Sequence, residues 1–234
     1  MALILNMDTA TPVCSVALAQ EGKLLAFREK NEKNIHAEAL NGFVEEVLKE
    51  AQKSLKDLDA IAVSMGPGSY TGLRIGVSTA KGLCYSLDKP LIAIGTIDAM
   101  AHWAAHELKG KLEENSLFLP MIDARRMEIY GAFFNQQLEA LTEVKPHILD
   151  ENSFLEEGKN NNIVLTGDGA AKCQEIFSQR EDIKIYPEIH SSSRGMIQMA
   201  EEKFHQQAFE DVAYCEPFYL KEFIAGIPKV KGLR

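Results

Sequence analysis

Asp8 and Asp123 each close an apolar run, Leu3–Thr9 and Ser116–Asp123, and a carboxylate at a strand end can touch a ligand or hydrogen-bond its own turn. Residues 66–76, Gly66-Pro67-Gly68-Ser69-Tyr70-Thr71-Gly72-Leu73-Arg74-Ile75-Gly76, stand between a buried strand and a helix. Unpaired amides and the helix dipole could hold an anion there, with Arg74 assisting. The stretch lacks the Gly-Lys-Ser/Thr ending of a P-loop and the spacing of a dinucleotide fingerprint, which favours a tight turn over a phosphate site. His102 and His106 have the i, i+4 spacing of a zinc helix, but Trp103 and Ala104 stand where a protease motif carries its Glu. With no third ligand nearby, the pair reads as the surface of an amphipathic helix. His36 and Glu38 could act as a catalytic pair, although Glu38 also suits a helix start, where it opposes the dipole. Gly167-Asp168-Gly169 follows a strand and opens a helix, as an ordinary Asp-Gly turn also would. No catalytic residue and no metal ligand is assigned.

The elements that must position these residues follow from hydrophobic periodicity. Leu3–Thr9, Val13–Gln20 and Lys23–Arg28 predict three antiparallel strands joined by short polar turns. Leu40, Phe43, Val44, Val47, Leu48 and Ala51 form one apolar stripe on a helix, with Asn34 as its expected cap. Strand Ala60–Met65, a helix from about Thr71 to Leu87, strand Leu91–Gly95 and a helix from Thr96 to about Leu108 complete βββαβαβα. The order then begins again: strands Ser116–Asp123, Glu128–Asn135 and Leu138–Val144, a short helix near Ser153–Glu157, strand Ile163–Thr166, a helix Ala170–Phe177, strand Ile183–Tyr186 and a helix Ser193–Gln207. Two copies of one order predict an α/β protein with a duplicated actin-like (ribonuclease H-like) fold, its lobes spanning 1–110 and 111–234. In that fold Asp8 and Asp123 face the cleft where an ATPase places metal-associated carboxylates. Gly167, Asp168 and Gly169 lie where a Gly-rich turn meets adenosine, which makes them the candidate cofactor-binding residues.

The helix after the Gly-rich loop carries only Arg74 and Lys81 as charges, and Gly72, Gly76 and Ala80 recur at four-residue spacing. A helix so apolar is either enclosed by its own domain or packed on a partner. The 234 residues carry a net charge of -9, 46% hydrophobic and 25% charged side chains. The apolar content does not indicate disorder, and the charge argues that a partner supplies the principal grip on any nucleic acid. Cys14, Cys84, Cys173 and Cys215 are too dispersed for a disulfide framework or a zinc site, which suits a reducing compartment. Neither a basic leader nor a membrane span is apparent, so a cytoplasmic location is expected.

Asp8-Thr9-Ala10, His36-Ala37-Glu38, the long motif 66–76, Ala80-Lys81-Gly82-Leu83, Ile122-Asp123-Ala124-Arg125-Arg126 and Pro217-Phe218-Tyr219-Leu220-Lys221 resemble the TsaB (YeaZ) family over nearly the whole chain. The resemblance implies a noncatalytic relative of TsaD, the subunit that transfers threonylcarbamoyl to N6 of the adenosine beside the anticodon in tRNAs reading codons that begin with A. It also implies pairing with TsaD, the joining of a small ATPase, TsaE, and a homodimer in isolation. Contact with tRNA would come mainly through the complex. Ser69, Tyr70, Thr71, Gly72, Leu73, Arg74, Gly76, Thr79 and Ala80 would form the partner interface. No cofactor belongs to the chain itself, and ATP or ADP is expected, if anywhere, at the shared interface. TsaD carries a His-x-x-x-His metal motif where this chain has residues 95–100, and an Asp where Ser191–Arg194 stand here. Both losses point to a pseudo-enzyme. The alternatives are a metallopeptidase of the glycoprotease (M22) type and an autonomous actin-like ATPase. The basic tail Ile227–Arg234 is expected to be disordered or to reach a partner.

Overall fold

The computed structural model describes residues 2–220; Lys221 of the closing motif and the tail Ile227–Arg234 lie outside the described residues. The first half runs β1 (Leu3–Asp8), β2 (Val13–Gln20), β3 (Lys23–Asn31), α1 (His36–Glu50), β4 (Ala60–Ser64), α2 (Tyr70–Leu87), β5 (Leu91–Ile94) and α3 (Thr96–Glu107). Its sheet has the order β3-β2-β1-β4-β5. The second half runs β6 (Ser116–Asp123), β7 (Glu128–Gly131), β8 (Lys145–Ile148), α4 (Leu155–Gly158), β9 (Asn162–Thr166), α5 (Cys173–Ile176), β10 (Ile183–Tyr186) and α6 (Ile197–His205). Its sheet, β8-β7-β6-β9-β10, repeats the first strand for strand. In both, the first strand of the half pairs antiparallel with the second and parallel with the fourth. The duplicated actin-like arrangement is therefore present, with hairpins on one flank of each sheet and crossover helices on the other.

β1 is buried along its whole length, and its period of two divides it between two layers. Leu3, Leu5 and Met7 join Leu40, Val44 and Val47 of α1 and Val77 of α2 in one cluster. Ile4 turns the other way, onto Met196 and Ala200. Thus α6, from the end of the chain, covers the first sheet. Reciprocally, Ile97, Met100 and Ala104 of α3 pack on Phe118, Ile122 and Val164 of the second sheet. Each half lends its last helix to the other.

Three local expectations are corrected. Asn34 does not cap α1: it sits at φ 65°, and the N-cap position falls to Ile35, which offers no side-chain acceptor. The third strand of the second half is Lys145–Ile148 rather than Leu138–Val144, and the strand before it stops at Gly131. Asn135 takes the amide of Glu139 at 2.9 Å, Thr142 Oγ1 takes that of Phe133 at 3.0 Å, and the Leu141 amide reaches the Phe133 carbonyl at 2.8 Å. A small side hairpin thus consumes residues that the ladder would otherwise use. The helix expected over Ala170–Phe177 opens as a 3-10 turn, Ala170–Lys172, and so does the last helix, over Ser193–Met196.

Candidate functional site

The Gly-rich loop is a junction of three chain segments. Ser69 donates its amide to Ala10 O at 2.6 Å, Thr96 donates to Gly66 O at 2.9 Å, and Phe218 donates to Met65 O at 2.7 Å. Gly66 also donates to Thr96 Oγ1 at 3.1 Å. Gly66 sits at φ 115°, and a Cβ there would overlap the Phe218 carbonyl, so only glycine fits. The amides of Gly66 and Ser69 point into the protein and are satisfied there, which removes two of the donors an anion would need. Ser69 instead caps α2 by accepting from the Gly72 amide.

The small-residue stripe of α2 lets a backbone approach closely, and the backbone is the protein's own. A Cβ on Gly72 would strike the Thr9 carbonyl, and one on Gly76 would strike Thr9 Oγ1. Thr9 Oγ1 in turn donates to Gly72 O at 2.8 Å. Gly72, Leu73, Gly76 and Ala80 are buried, so these four of the expected interface residues face inward and cannot touch a partner directly. Ser69, Thr71 and Arg74 are exposed, and Tyr70 and Thr79 are partly so. The outer face continues through Ser78, Gly82 and Tyr85, the last 87% exposed. The sequence reading missed these three, although they lie opposite the buried positions 73, 77, 80 and 84 at helical spacing.

Both charges of α2 hold the closing segment. Lys81 Nζ donates to Ala213 O at 3.2 Å and Cys215 O at 2.9 Å. Arg74 Nε donates to the Tyr219 hydroxyl at 3.4 Å, and its guanidinium lies 4.2 Å from the Tyr70 ring centroid. The Tyr70 and Tyr219 rings are 5.0 Å apart. Arg74, Val77, Ser78 and Lys81 line an open groove of about 370 Å³ with Cys215, Glu216, Pro217 and Tyr219. Tyr214 stands 83% exposed beside it. A surface of tyrosines and small residues flanked by tethered cations suits contact with another protein better than capture of a small molecule.

The cleft groups are bonded to one another. Asp8 is 1% exposed. Its Oδ1 accepts from Ser64 Oγ at 2.7 Å and from the Ala10 amide at 3.0 Å, and its Oδ2 accepts from Ser191 Oγ. Ser191 stands in the segment where TsaD was expected to differ by an Asp. Gly167, at φ 94°, donates to Ile189 O at 2.9 Å, and Gly169 donates to Met121 O at 3.1 Å. A Cβ on Gly167 would meet Met100 and the Met121 carbonyl, and Gly167 and Gly169 are both buried. Asp168 Oδ1 accepts from the Asp123 amide at 3.2 Å, and burial followed by the neighbouring Asp123 pushes its carboxyl up to about 6. Asp123 itself is exposed, pairs with Lys172 and accepts from the Arg125 amide at 2.7 Å, so it serves the turn that follows it.

The histidines separate as well. His36 Nε2 lies 2.8 Å from Thr11 O and therefore carries the proton of that contact. Glu38 sits in the first turn of α1, as its type suggested. His102 is half-buried and burial lowers its pKa, while His106 stacks on Trp103 with ring centroids 5.0 Å apart. Among the described residues no three His, Cys, Asp or Glu side chains converge as a metal site.

A family model described as TsaD, tRNA N6-adenosine threonylcarbamoyltransferase, matches residues 29–229. The chain is 29% identical over 95% of its length to the tRNA threonylcarbamoyladenosine biosynthesis protein TsaB of Escherichia coli, covering 96% of that protein. A shorter stretch of 63 residues is 52% identical to the tRNA N6-adenosine threonylcarbamoyltransferase of Clostridium perfringens, covering 27% of this chain and 19% of that one. Among solved structures, YeaZ from Pseudomonas aeruginosa superposes with a TM-score of 0.74 at 26% identity, covering 94% of this chain and all of that one.

Proposed function

The chain belongs to the TsaD family, on its TsaB (YeaZ) branch, and we propose that it serves there as a noncatalytic scaffold that binds TsaD. It takes part in the biosynthesis of threonylcarbamoyladenosine in tRNA. The observation that carries the scaffold reading is the outer face of α2. From Thr71 through Ser78 and Gly82 to Tyr85 its charges are Arg74, already engaged by Tyr70 and Tyr219, and the partly buried Lys81, which is spent on the carbonyls of Ala213 and Cys215. Small side chains let a second helix approach, and Tyr85 offers an aromatic anchor. TsaD, itself of this family, is the partner; a second copy of this chain occupies the face when TsaD is absent. TsaE joins the pair, and tRNA is held chiefly through the complex, in the cytoplasm.

The closed cleft supports the absence of chemistry in this subunit. Asp8 is tied to Ser64 and Ser191, and Gly167 and Gly169 spend their amides inward, so neither the carboxylate nor the turn faces an incoming nucleotide. This weighs against an autonomous ATPase, and the scattered histidines weigh against a metallopeptidase. ATP or ADP, in this reading, binds where the chain meets TsaD.

The test is reconstitution with TsaD and TsaE from the same source, measuring threonylcarbamoylation of tRNA with this chain present, absent or alone. Activity that needs TsaD and rises strongly only on adding the chain is expected. Activity of the chain alone, or indifference to its presence, would overturn the scaffold reading.

A further inference from the structure

Arg125 and Arg126 form the tip of the β6–β7 hairpin, and both are held in left-handed backbone, at φ 70° and 48°. Consecutive non-glycine residues seldom adopt that conformation unless the surroundings impose it. Here they do. Asp123 Oδ1 accepts the Arg125 amide at 2.7 Å, and Lys172 Nζ reaches Arg126 O at 2.9 Å, Glu128 O at 3.0 Å and the Asp123 carboxylate. Glycine would satisfy the same backbone without strain, yet two exposed guanidiniums stand there.

Among the described residues their side chains also find no ion-pair partner. Arg28 pairs with Glu46 and Glu50, Arg180 with Asp182, Arg194 with Glu29 between two rings, and Arg74 with Tyr70 and Tyr219. Among the described residues, Arg125 and Arg126 are the arginines whose guanidiniums have neither a carboxylate nor a ring as partner. Neighbouring guanidiniums on a fixed turn, in a chain of net charge -9, form a local exception to the protein's field. Their planar donors match phosphate oxygens, whereas the general surface repels a polyanion. The groove behind the tip carries Asp150, Glu151 and Glu175, with Lys172 paired to Asp123 at its edge, so its charge does not favour a polyanion as the tip does.

We propose that Arg125 and Arg126 make a point contact with the phosphate backbone of the tRNA held by the TsaD complex. The proposal rests on the functional reading above and adds a direct RNA contact by this subunit. Phosphate contacts position an RNA without reading its sequence, so the tip contributes affinity and register.

The test compares the wild-type complex with one carrying Arg125→Gly and Arg126→Gly, using an unmodified transcript of a tRNA that reads a codon beginning with A. Binding is titrated from low to moderate salt. The double variant is expected to bind roughly tenfold more weakly at low salt, with the slope of log K against log salt smaller by about one to two. Its melting temperature should be unchanged or higher, because glycine relieves the left-handed turn. Equal affinity and slope, or failure of the variant to copurify with TsaD, would overturn the proposal, the second outcome making the tip a protein contact. A wild-type complex that does not hold the transcript would reject the functional reading itself, and with it the basis for an RNA contact.

Discussion

Asp168 is the side chain with the clearest linkage to pH. Its folded-state pKa is about 6 against an ordinary 3.8, because burial disfavours the anion and Asp123 adds repulsion. The folded protein therefore holds this proton over a range where the unfolded chain has lost it. Stability is full below about pH 3.8, falls as pH rises toward 6, and stays reduced above that. Asp168→Asn keeps the amide-accepting oxygen and removes the charge; denaturant melts should show a gain on the order of 1–2 kcal/mol near neutrality that vanishes in acid. Asp8 is a buried carboxylate that accepts from the Ser64 and Ser191 hydroxyls and from the Ala10 amide. Ser191→Ala removes the donor to Oδ2 and should destabilise the fold by about 1–3 kcal/mol in the same melts. No change would mean that water replaces the serine.

α2 shows how one stripe can be read on the wrong side. Gly76 looked suited to a partner helix, which would make Gly76→Arg a test of association. With Thr9 against it, that substitution drives a long charged side chain into the sheet, and a loss of at least about 3 kcal/mol, seen as insoluble or unfolded protein, is expected. Gly82 faces open space on the exposed side of the same helix. Gly82→Arg should leave melting within about 1 kcal/mol of wild type, because Arg is also the better helix former. It should still abolish copurification with TsaD and lower the mass in sedimentation. A folded Gly82→Arg variant that pairs normally would remove the outer face of α2 from the interface.

The exchange of α3 and α6 makes the two halves interdependent. Beyond their apolar contacts, Arg194 lies between the Phe27 ring, 4.3 Å away, and the Trp103 ring, 3.8 Å away, with Glu29 at 3.5 Å. Ser193 donates its amide to Ser15 Oγ at 2.8 Å, and Gln198 reaches Gly22 O at 2.8 Å. This seam joins the start of α6 to the first sheet and to α3. Arg194→Ala should destabilise the protein by about 1–3 kcal/mol and expose one face of Trp103. Since Trp103 is the sole tryptophan, its emission should shift to the red before global unfolding. An unshifted spectrum with unchanged melting would show that the apolar helix exchange alone holds the halves together.

Periodicity was sufficient for most elements, including β2, β6 and β10 at their observed ends, because apolar residues at spacing two or 3.6 must be buried whatever the partner. The double βββαβαβα order, and with it the duplicated fold, followed from the same local rule. The TsaB resemblance rested on contiguous motifs such as 66–76, whose glycines are demanded by close approaches of backbone. What periodicity leaves open is which partner an apolar or small-residue face meets. That depended on tertiary structure: the stripe of α2 met Thr9, Asp8 met Ser64 and Ser191, and α3 and α6 crossed to opposite sheets. The third strand of the second half was misplaced for a related reason, since side-chain hydrogen bonds at Asn135 and Thr142 diverted the chain before the ladder resumed. Burial is a property that a local pattern specifies; the identity of the covering surface is decided only when distant segments compete for it.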